Sequence, residues 1–241
     1  MYRKIEGMKP KRILLIRHGV SKARIYWNVL LVRLGIRKVL PSDFINGIKV
    51  LECKEPLEKL HNDENLFRTD GQVFVGRKSM MERLLKAAKD VSQQGYRLHI
   101  FQIYRSPEEQ TERRAKTYER LKERHPHYGE EEIFRMLNKA IAGVGGGHQT
   151  GGAVDLSLCD KEGRLMDMGT QYREHTPKTT THCKTLNEDE RRNRMILVKA
   201  MKRAGFVNYP AEWWHFSYGD KMWAAYKFKR HAIYGTIYLD H

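Results

Sequence analysis

The clearest periodic pattern in the chain predicts a helix from Lys78 to Gln93. Its apolar residues recur at three- or four-residue spacing, at Met80, Met81, Leu84, Leu85 and Ala88. Gly95 follows as a stop signal. From Tyr96 to Tyr104 apolar and polar residues alternate, which is typical of a strand.

Further elements are predicted along the rest of the chain. Ser106 can cap a helix that begins at Pro107 and runs to about Arg124, because Glu109 stands at capping-box spacing. The other predicted elements are helices over 130–142 and 187–203 and strands over 153–158 and 213–218. Helices and strands mix without strict alternation, so the fold class is predicted to be α+β.

The N-terminal region is basic and contains a further candidate helix. Residues 22–37 mix apolar and basic side chains at helix-like spacing. Such a helix can lie on a membrane or a partner. Packing on the main body of the protein is the favoured interpretation, because most amphipathic helices face their own core.

The composition adds a strong positive charge. The 241 residues include 45 Lys and Arg against 29 Asp and Glu, a formal net charge of +16. This excess fits either attraction to an anionic partner or a basic solvated surface, and composition alone leaves both open. The length fits one domain, or one domain with an extension.

The location expected from the sequence is cytoplasmic. No run approaches 18 apolar residues, so no transmembrane segment is expected. The three cysteines, Cys53, Cys159 and Cys183, are far apart and fit a reducing compartment better than a disulfide framework. The N-terminus has a four-residue apolar run, which is too short for a signal peptide.

The first segment with candidate chemistry surrounds His148. Six glycines lie between positions 143 and 152, and glycine lets the backbone turn sharply and other groups approach closely. In the strand that follows, Asp155 shares a face with Ala153 and Ser157, away from the more apolar face. An aspartate in such a strand is costly unless it is paired or bound to a metal.

The second segment is the aromatic stretch over 210–218. It contains His215, with Glu212 just before the predicted strand and Trp213 expected on the same strand face as His215. By itself, His215 would more often be a hydrogen-bonded core residue than a metal ligand.

Taken together, His148, Asp155 and His215 form a possible catalytic zinc set that leaves a fourth position for water. Zinc lowers the pKa of bound water to about 7. Glu212 can take the proton of that water and pass it to a leaving amine. Arg105, after the strand over 96–104, can stabilise an oxyanion or form a surface salt bridge, and its position leaves both open.

Four segments share their order and spacing with one known family. They are Tyr104-Arg105, the H-x-x-G-x-A-x-D pattern over 148–155, D-M-G-T over 167–170 and E-W-W-H over 212–215. This set resembles the zinc D-Ala-D-Ala dipeptidases of the vancomycin-resistance type. The two adjacent tryptophans resemble the dipeptidase branch rather than the related D,D-carboxypeptidases. The resemblance covers about residues 36–241, so a peptidase domain is predicted there, after a basic N-terminal extension over 1–35.

The resemblance implies a reaction and a role for each residue. The reaction is zinc-dependent hydrolysis of D-alanyl-D-alanine to two D-alanines by metal-activated water. His148, Asp155 and His215 would bind Zn²⁺, Glu212 would be the general base and acid, and Arg105 would stabilise the carbonyl oxygen as it becomes an oxyanion. The implied fold is a small single domain with a central antiparallel sheet flanked by helices. The implied partner is a small peptide, D-Ala-D-Ala or a cell-wall peptide, and no nucleic-acid partner is expected.

Three departures from the family pattern bear on the substrate. Gly146 stands where the family usually has a serine, and the segment over 104–110 is closer to the carboxypeptidase branch. Arg173 stands where the family has an acid that receives the substrate's free ammonium. An arginine there would repel an amine and can accept a carboxylate. The candidate substrate-binding residues are Arg173, Tyr172 and Trp214. The alternative function is a D,D-carboxypeptidase or related peptidase on peptidoglycan stem peptides or fragments.

Two other features of the sequence allow more remote interpretations. The run from Arg12 to Gly19 ends in R-H-G, which looks like the phosphohistidine motif of histidine phosphatases. No convincing second His–Arg set follows, and short motifs often match by coincidence. A non-enzymatic binder of an anionic polymer would use the +16 charge, but no recognised nucleic-acid-binding motif supports it.

Overall fold

A mixed sheet with helices packed on it carries the candidate site residues. The protein is described from a computed structural model, which covers residues 22–34, 36–37, 39–40, 42–67, 72–141, 143, 145–174 and 176–238. In these ranges helices and strands combine in one α+β fold, which confirms the predicted fold class. The run over 12–19 lies outside the described residues.

The elements are numbered in chain order. The α-helices are α1 (Lys22–Arg33), α2 (Ser42–Asn46), α3 (Lys78–Ser92), α4 (Pro107–Arg124), α5 (Glu130–Ala140), α6 (Glu188–Arg203) and α7 (Lys221–Tyr226). The strands are β1 (Leu57–Lys59), β2 (Leu66–Phe67), β3 (Val75–Arg77), β4 (Arg97–Gln102), β5 (Ala153–Cys159), β6 (Val207–Asn208) and β7 (His215–Ser217). Short 3₁₀ helices span Gly147–Thr150 and Pro177–Thr179.

The main sheet has five strands in the order β2-β4-β5-β7-β6. The pairs β4–β5, β5–β7 and β6–β7 are antiparallel, as predicted for the central sheet. The edge pair β2–β4 is parallel, so the five-stranded sheet is antiparallel at its centre and mixed as a whole. A two-residue strand leaves no pattern in the sequence from which its direction could be predicted. Strands β1 and β3 form a separate antiparallel pair.

The core lies between this sheet and two helices. The predicted helix is confirmed as α3, and its buried residues include Met80, Leu84 and Ala88. Helix α6 packs against α3 and adds Leu197 and Met201 to the same buried cluster. All seven residues of β5 are buried, because β5 lies in the middle of the sheet. Asp155 is therefore held in a rigid, desolvated position.

Local signals placed the ends of several elements correctly. Ser106 caps α4 by accepting a hydrogen bond from the Glu109 backbone N–H at 3.1 Å, and α4 ends at Arg124 as predicted. Helix α6 also ends at Arg203 as predicted, before Gly205, which has a φ of 100°.

The predicted strand over 213–218 is wrong in its first part. The observed strand is His215–Ser217, and the residues before it form turns. The Glu212 backbone N–H donates to the Tyr209 carbonyl at 2.9 Å, and the His215 N–H donates to the Glu212 carbonyl at 3.3 Å. Trp213 and Trp214 precede the strand and are both 2% exposed, so they do not alternate between two faces.

Helix α1 packs on the rest of the protein, as the sequence favoured. Ile25 and Val29 are buried in a cluster with Ala224 and Ala225 of α7. The helix ends at Arg33 rather than near residue 37. The division into an extension over 1–35 and a domain over 36–241 stays a prediction. Among the described residues, none of the helices has the length and apolar character needed to cross a bilayer.

Candidate metal centre

Two neighbouring strands place Asp155 beside His215. The two residues are direct partners in the antiparallel β5–β7 pair, so their side chains leave the same face of the sheet. The Asp155 Oδ1 lies 2.8 Å from the His215 Nδ1. The register of two strands 60 residues apart in the chain therefore builds one side of the centre.

His148 reaches the same carboxylate from the glycine-rich turn. It lies in the 3₁₀ helix Gly147–Thr150, which ends at Gly151 with a φ of 68°. The His148 Nδ1 lies 2.6 Å from the Ile103 carbonyl oxygen, so it carries the proton and donates it there. The other ring nitrogen, Nε2, faces the Asp155 Oδ1 at 3.2 Å. The backbone carbonyl thus sets the tautomer that presents Nε2 to the centre.

The space around the turn explains why glycine stands at position 147. A Cβ added to Gly147 would lie 2.4 Å from the Asp220 Oδ2 and 2.9 Å from the Ala153 Cβ. Only a glycine lets the turn approach β5 and the buried Asp220 this closely.

The donor atoms of His148, Asp155 and His215 all lie within 4.8 Å of one another. The set contains two imidazole nitrogens and one carboxylate oxygen, which are ligands that zinc accepts readily. The residue types and their convergence fit a three-ligand metal centre. The structure thus brings together the three residues that the sequence singled out, and their role as ligands belongs to the proposal below.

Electrostatic interactions couple the three side chains. Burial alone would raise the pKa of Asp155, but His148 and His215 hold the pKa of this carboxyl well below its usual range. Burial alone would lower the pKa of His215, but the hydrogen bond to Asp155 and the charge of that carboxylate raise it. The carboxylate form of Asp155 is therefore strongly favoured, and this is the form that coordinates metals.

Tyr172 holds the second oxygen of Asp155. Its hydroxyl donates to the Asp155 Oδ2 at 2.8 Å, and its ring stacks on Phe101 with ring centres 4.2 Å apart. The Trp214 ring meets Tyr172 edge to face at 5.6 Å. The hydroxyl of Tyr172 is therefore already bonded to Asp155. Trp214 is buried. The substrate-binding role expected for these two residues stays a prediction.

Arg105 is buried next to the centre. Its backbone N–H donates to the His148 carbonyl at 3.2 Å, and the residue is 9% exposed. Its guanidinium donates from Nη1 to the Gln110 Oε1 at 2.6 Å and from Nη2 to the Gln102 Oε1. The interpretation as a surface salt bridge is therefore wrong, because the group is buried and fixed by two amide oxygens.

Sequence reasoning missed both glutamines. Gln102 continues the buried face of β4 that carries Leu98 and Ile100, and a polar residue on such a face is a usable signal. Gln110 is buried in the first turns of α4, where the pattern offered no comparable signal.

Glu212 lies in the turn that leads into β7. Its carbonyl accepts from the Asn208 Nδ2 at 3.1 Å, and this contact helps fix the turn. Burial raises the pKa of Tyr209, and the charge of Glu212 raises it further. The same charge also acts on His215. The Glu212 carboxylate therefore lies within electrostatic range of His215.

Arg173 stands at the outer side of the centre. Its φ of 63° lies in the left-handed region, which is uncommon for a residue other than glycine. Its guanidinium lies over the Tyr172 ring, 4.7 Å from the ring centre, and donates from Nη2 to the Gln102 Oε1 at 2.6 Å. Gln102 therefore links Arg173 to Arg105.

Comparison with known proteins gives one matching family. The family model described as D-Ala-D-Ala dipeptidase matches residues 63–234, which contain every residue of the centre. A D-alanyl-D-alanine dipeptidase of Synechocystis sp. is 35% identical over 108 residues, which cover 37% of this chain and 43% of that protein. A D-alanyl-D-alanine dipeptidase of Enterococcus faecium is 28% identical over 152 residues, which cover 61% of this chain and 75% of that protein.

The match to the Synechocystis protein spans less than half of that protein's length. Among solved structures, a vancomycin-resistance D,D-pentapeptidase in complex with Zn(II) matches with a TM-score of 0.45 and 17% identity. That match covers 72% of this chain and 83% of the solved chain.

Proposed function

The chain belongs to the D-Ala-D-Ala dipeptidase family, and from this premise we propose that it hydrolyses D-alanyl-D-alanine to two D-alanines with a bound zinc ion. One observation carries the proposal, namely the convergence of the His148, Asp155 and His215 donor atoms within 4.8 Å. The buried position of Asp155 between two histidines supports it, since an unpaired charge there would be costly.

The residues of the centre fit zinc in number and type. His148 would bind through Nε2, because its Nδ1 is engaged with the Ile103 carbonyl. Asp155 would bind through Oδ1, because Tyr172 holds its Oδ2. His215 would complete the set and leave a fourth position open. When bound, zinc supplies a Lewis acid that makes water a stronger acid and a carbonyl a stronger electrophile.

Glu212 would move the proton. Its carboxylate would accept a proton from the attacking water and deliver it to the nitrogen of the leaving D-alanine. Water oxygen forms the new bond to the carbonyl carbon, the C–N bond breaks, and both protons of the water end on the leaving nitrogen, so the products are a carboxylate and an ammonium. The position of Glu212 in the turn before β7 supports this role, because the turn keeps its carboxylate near His215.

Arg105 would stabilise the negative charge that develops on the carbonyl oxygen. Its guanidinium is buried and oriented before substrate binds, by the oxygens of Gln102 and Gln110. Such preorganised donors are worth more in a desolvated site than in water.

We expect Arg105→Gln to lower kcat for D-Ala-D-Ala by about 10²–10³-fold, the usual cost of removing one oxyanion donor. Zinc content should not change, because Arg105 is not among the three donors. Steady-state kinetics and elemental analysis would check both expectations. Arg230→Gln is the matched control, because Arg230 is exposed. A wild-type kcat for Arg105→Gln would remove Arg105 from the mechanism.

A second candidate function is a D,D-carboxypeptidase or related peptidase acting on peptidoglycan stem peptides or fragments. Arg173 favours it, because a cation at the outer side of the centre disfavours a substrate with a free ammonium nearby. The cytoplasmic location stays a prediction from the sequence.

The experiment that tests the proposed function measures two quantities on the same preparation. We expect about one zinc per chain by elemental analysis, as for a three-ligand catalytic site, and release of D-alanine from D-Ala-D-Ala. L-Ala-L-Ala is the matched control peptide. Zinc without D-alanine release, from the dipeptide or from N-acylated peptides ending in D-Ala-D-Ala, would contradict the reaction. A protein that takes up no zinc from solution would contradict the metal centre itself.

A further inference from the structure

Two arginine side chains converge on one uncharged oxygen beside the metal centre. Arg105 and Arg173 both donate from Nη2 to the Oε1 of Gln102. The other guanidinium contact of Arg105 is also to an uncharged amide, that of Gln110. A glutamine oxygen satisfies the hydrogen bonds but does not neutralise two positive charges.

Part of this cation pair still lacks a hydrogen-bond partner. The Nε of Arg105 is buried and has no partner within the described residues. Burial lowers the pKa of Arg105, and the nearby charges of Arg113 and Arg173 lower it further, while Asp155 acts in the opposite direction. An added anion would therefore reduce the repulsion between these positive charges.

Arg173 borders a cavity that also contacts Tyr172, the residue that holds the Asp155 carboxylate. The cavity has a volume of about 450 Å³, and its lining includes Gln102, Tyr172 and Arg173. The charged side chains among its described lining residues are Arg113 and Arg173. Arg113 is paired with the Glu109 carboxylate at 3.1 Å, whereas Arg173 donates to an uncharged amide oxygen, that of Gln102.

The contacts of Arg173 hold its side chain in place. Stacking on Tyr172 and the hydrogen bond to Gln102 keep the guanidinium at the cavity although the residue is exposed. The neighbouring Glu174 accepts from the Gln171 backbone N–H at 2.8 Å. A planar guanidinium in such a position is suited to paired hydrogen bonds with a carboxylate.

We propose that Arg173 binds a carboxylate of the peptide substrate in this cavity. The inference rests on the proposed function and names its substrate class, a D,D-peptide with a carboxylate within reach of Arg173. Two sources have this chemistry. One is the C-terminal carboxylate of the peptide, and the other is a carboxylate on a group attached to its amino end.

Four peptides separate these sources: D-Ala-D-Ala, D-Ala-D-alaninamide, N-acetyl-D-Ala-D-Ala and N-succinyl-D-Ala-D-Ala. The measurement is kcat/KM for wild type, Arg173→Gln and Arg173→Lys. We expect Arg173→Gln to lower kcat/KM by about 10- to 100-fold for peptides that carry the recognised carboxylate, which is the range for a hydrogen bond to a charged group. The loss should approach the lower figure, because Arg173 is exposed and water screens it. Arg173→Lys should recover part of the loss, because it keeps the charge.

The pattern of losses identifies the source. A loss confined to the succinyl peptide places the carboxylate at the amino end. A loss on every peptide except the amide identifies the C-terminal carboxylate. Arg230→Gln is the matched control and should behave as wild type on all four peptides, because Arg230 is exposed and is not among the residues that line the cavity.

Two results would overturn the inference. One is an equal loss on all four peptides, which would show a structural effect of Arg173. The other is no loss on any of them. If zinc-loaded wild type cleaves none of the four peptides, the proposed function itself fails, and that outcome is distinct because it appears before any variant is compared.

Discussion

His215→Ala is expected to lose both bound zinc and D-alanine release. The substitution removes the nitrogen that lies 2.8 Å from the Asp155 Oδ1 and leaves His148 and Asp155 as the remaining donors. Two protein ligands are fewer than the three of catalytic zinc sites. Metal activation is worth several kcal/mol of transition-state stabilisation, and each 1.36 kcal/mol is tenfold in rate, so activity should fall by about 10³-fold or more.

The measurement is elemental analysis after dialysis, with D-alanine release assayed on the same samples. His127→Ala is the matched control, because His127 is exposed in the turn between α4 and α5. Circular dichroism melting would show whether His215→Ala remains folded, since His215 is the first residue of β7. His148→Ala provides a second variant on a different element and should give the same double loss. A folded His215→Ala that keeps zinc and activity would refute the assigned ligand set.

Glu212→Gln is expected to lower D-alanine release by about 10²–10⁴-fold, the usual contribution of general acid–base catalysis. Glutamine keeps the size of the side chain but cannot accept a proton. The backbone contacts that fix the turn, to Tyr209 and Asn208, do not involve the carboxylate and should persist. Zinc content should therefore stay at the wild-type value, which separates this variant from His215→Ala.

The check is kcat with zinc content measured in parallel. Glu162→Gln is the matched control, because Glu162 is an exposed acid beyond β5. Near-normal release by Glu212→Gln would assign the proton transfer to another group. Loss of zinc by this variant would instead make Glu212 part of the metal centre.

Elements with a strong local pattern were predictable. Helix α3 was found from its apolar stripe, and the start of α4 from Ser106 and Pro107. The aromatic stretch over 213–218 was misread, because alternation of large apolar residues does not distinguish a strand from a buried turn. Hydrogen bonds from Glu212 to Tyr209 and from His215 to Glu212 decide that segment, and they leave no periodic trace.

The candidate site also contains residues that the sequence identified and contacts that it did not predict. His148, Asp155, Glu212 and His215 could be selected from the sequence, because polar residues in glycine-rich or apolar surroundings are costly without a partner. Arg105 could be selected too, but the sequence did not predict that its side chain is buried. The glutamines that hold Arg105 come from β4 and α4, and their convergence depends on how α4 packs after the strand.

By itself, the sequence determined the residue types of the centre, the helices with strong periodicity and the α+β class, because side-chain chemistry and local spacing are read directly from it. The tertiary structure alone decided that Asp155 pairs with His215, since this depends on the register of β5 and β7. It also decided that Tyr172 holds the second oxygen of Asp155 and that Gln102 joins Arg105 to Arg173. These contacts link positions far apart in the chain, and only long-range packing brings them within hydrogen-bond distance.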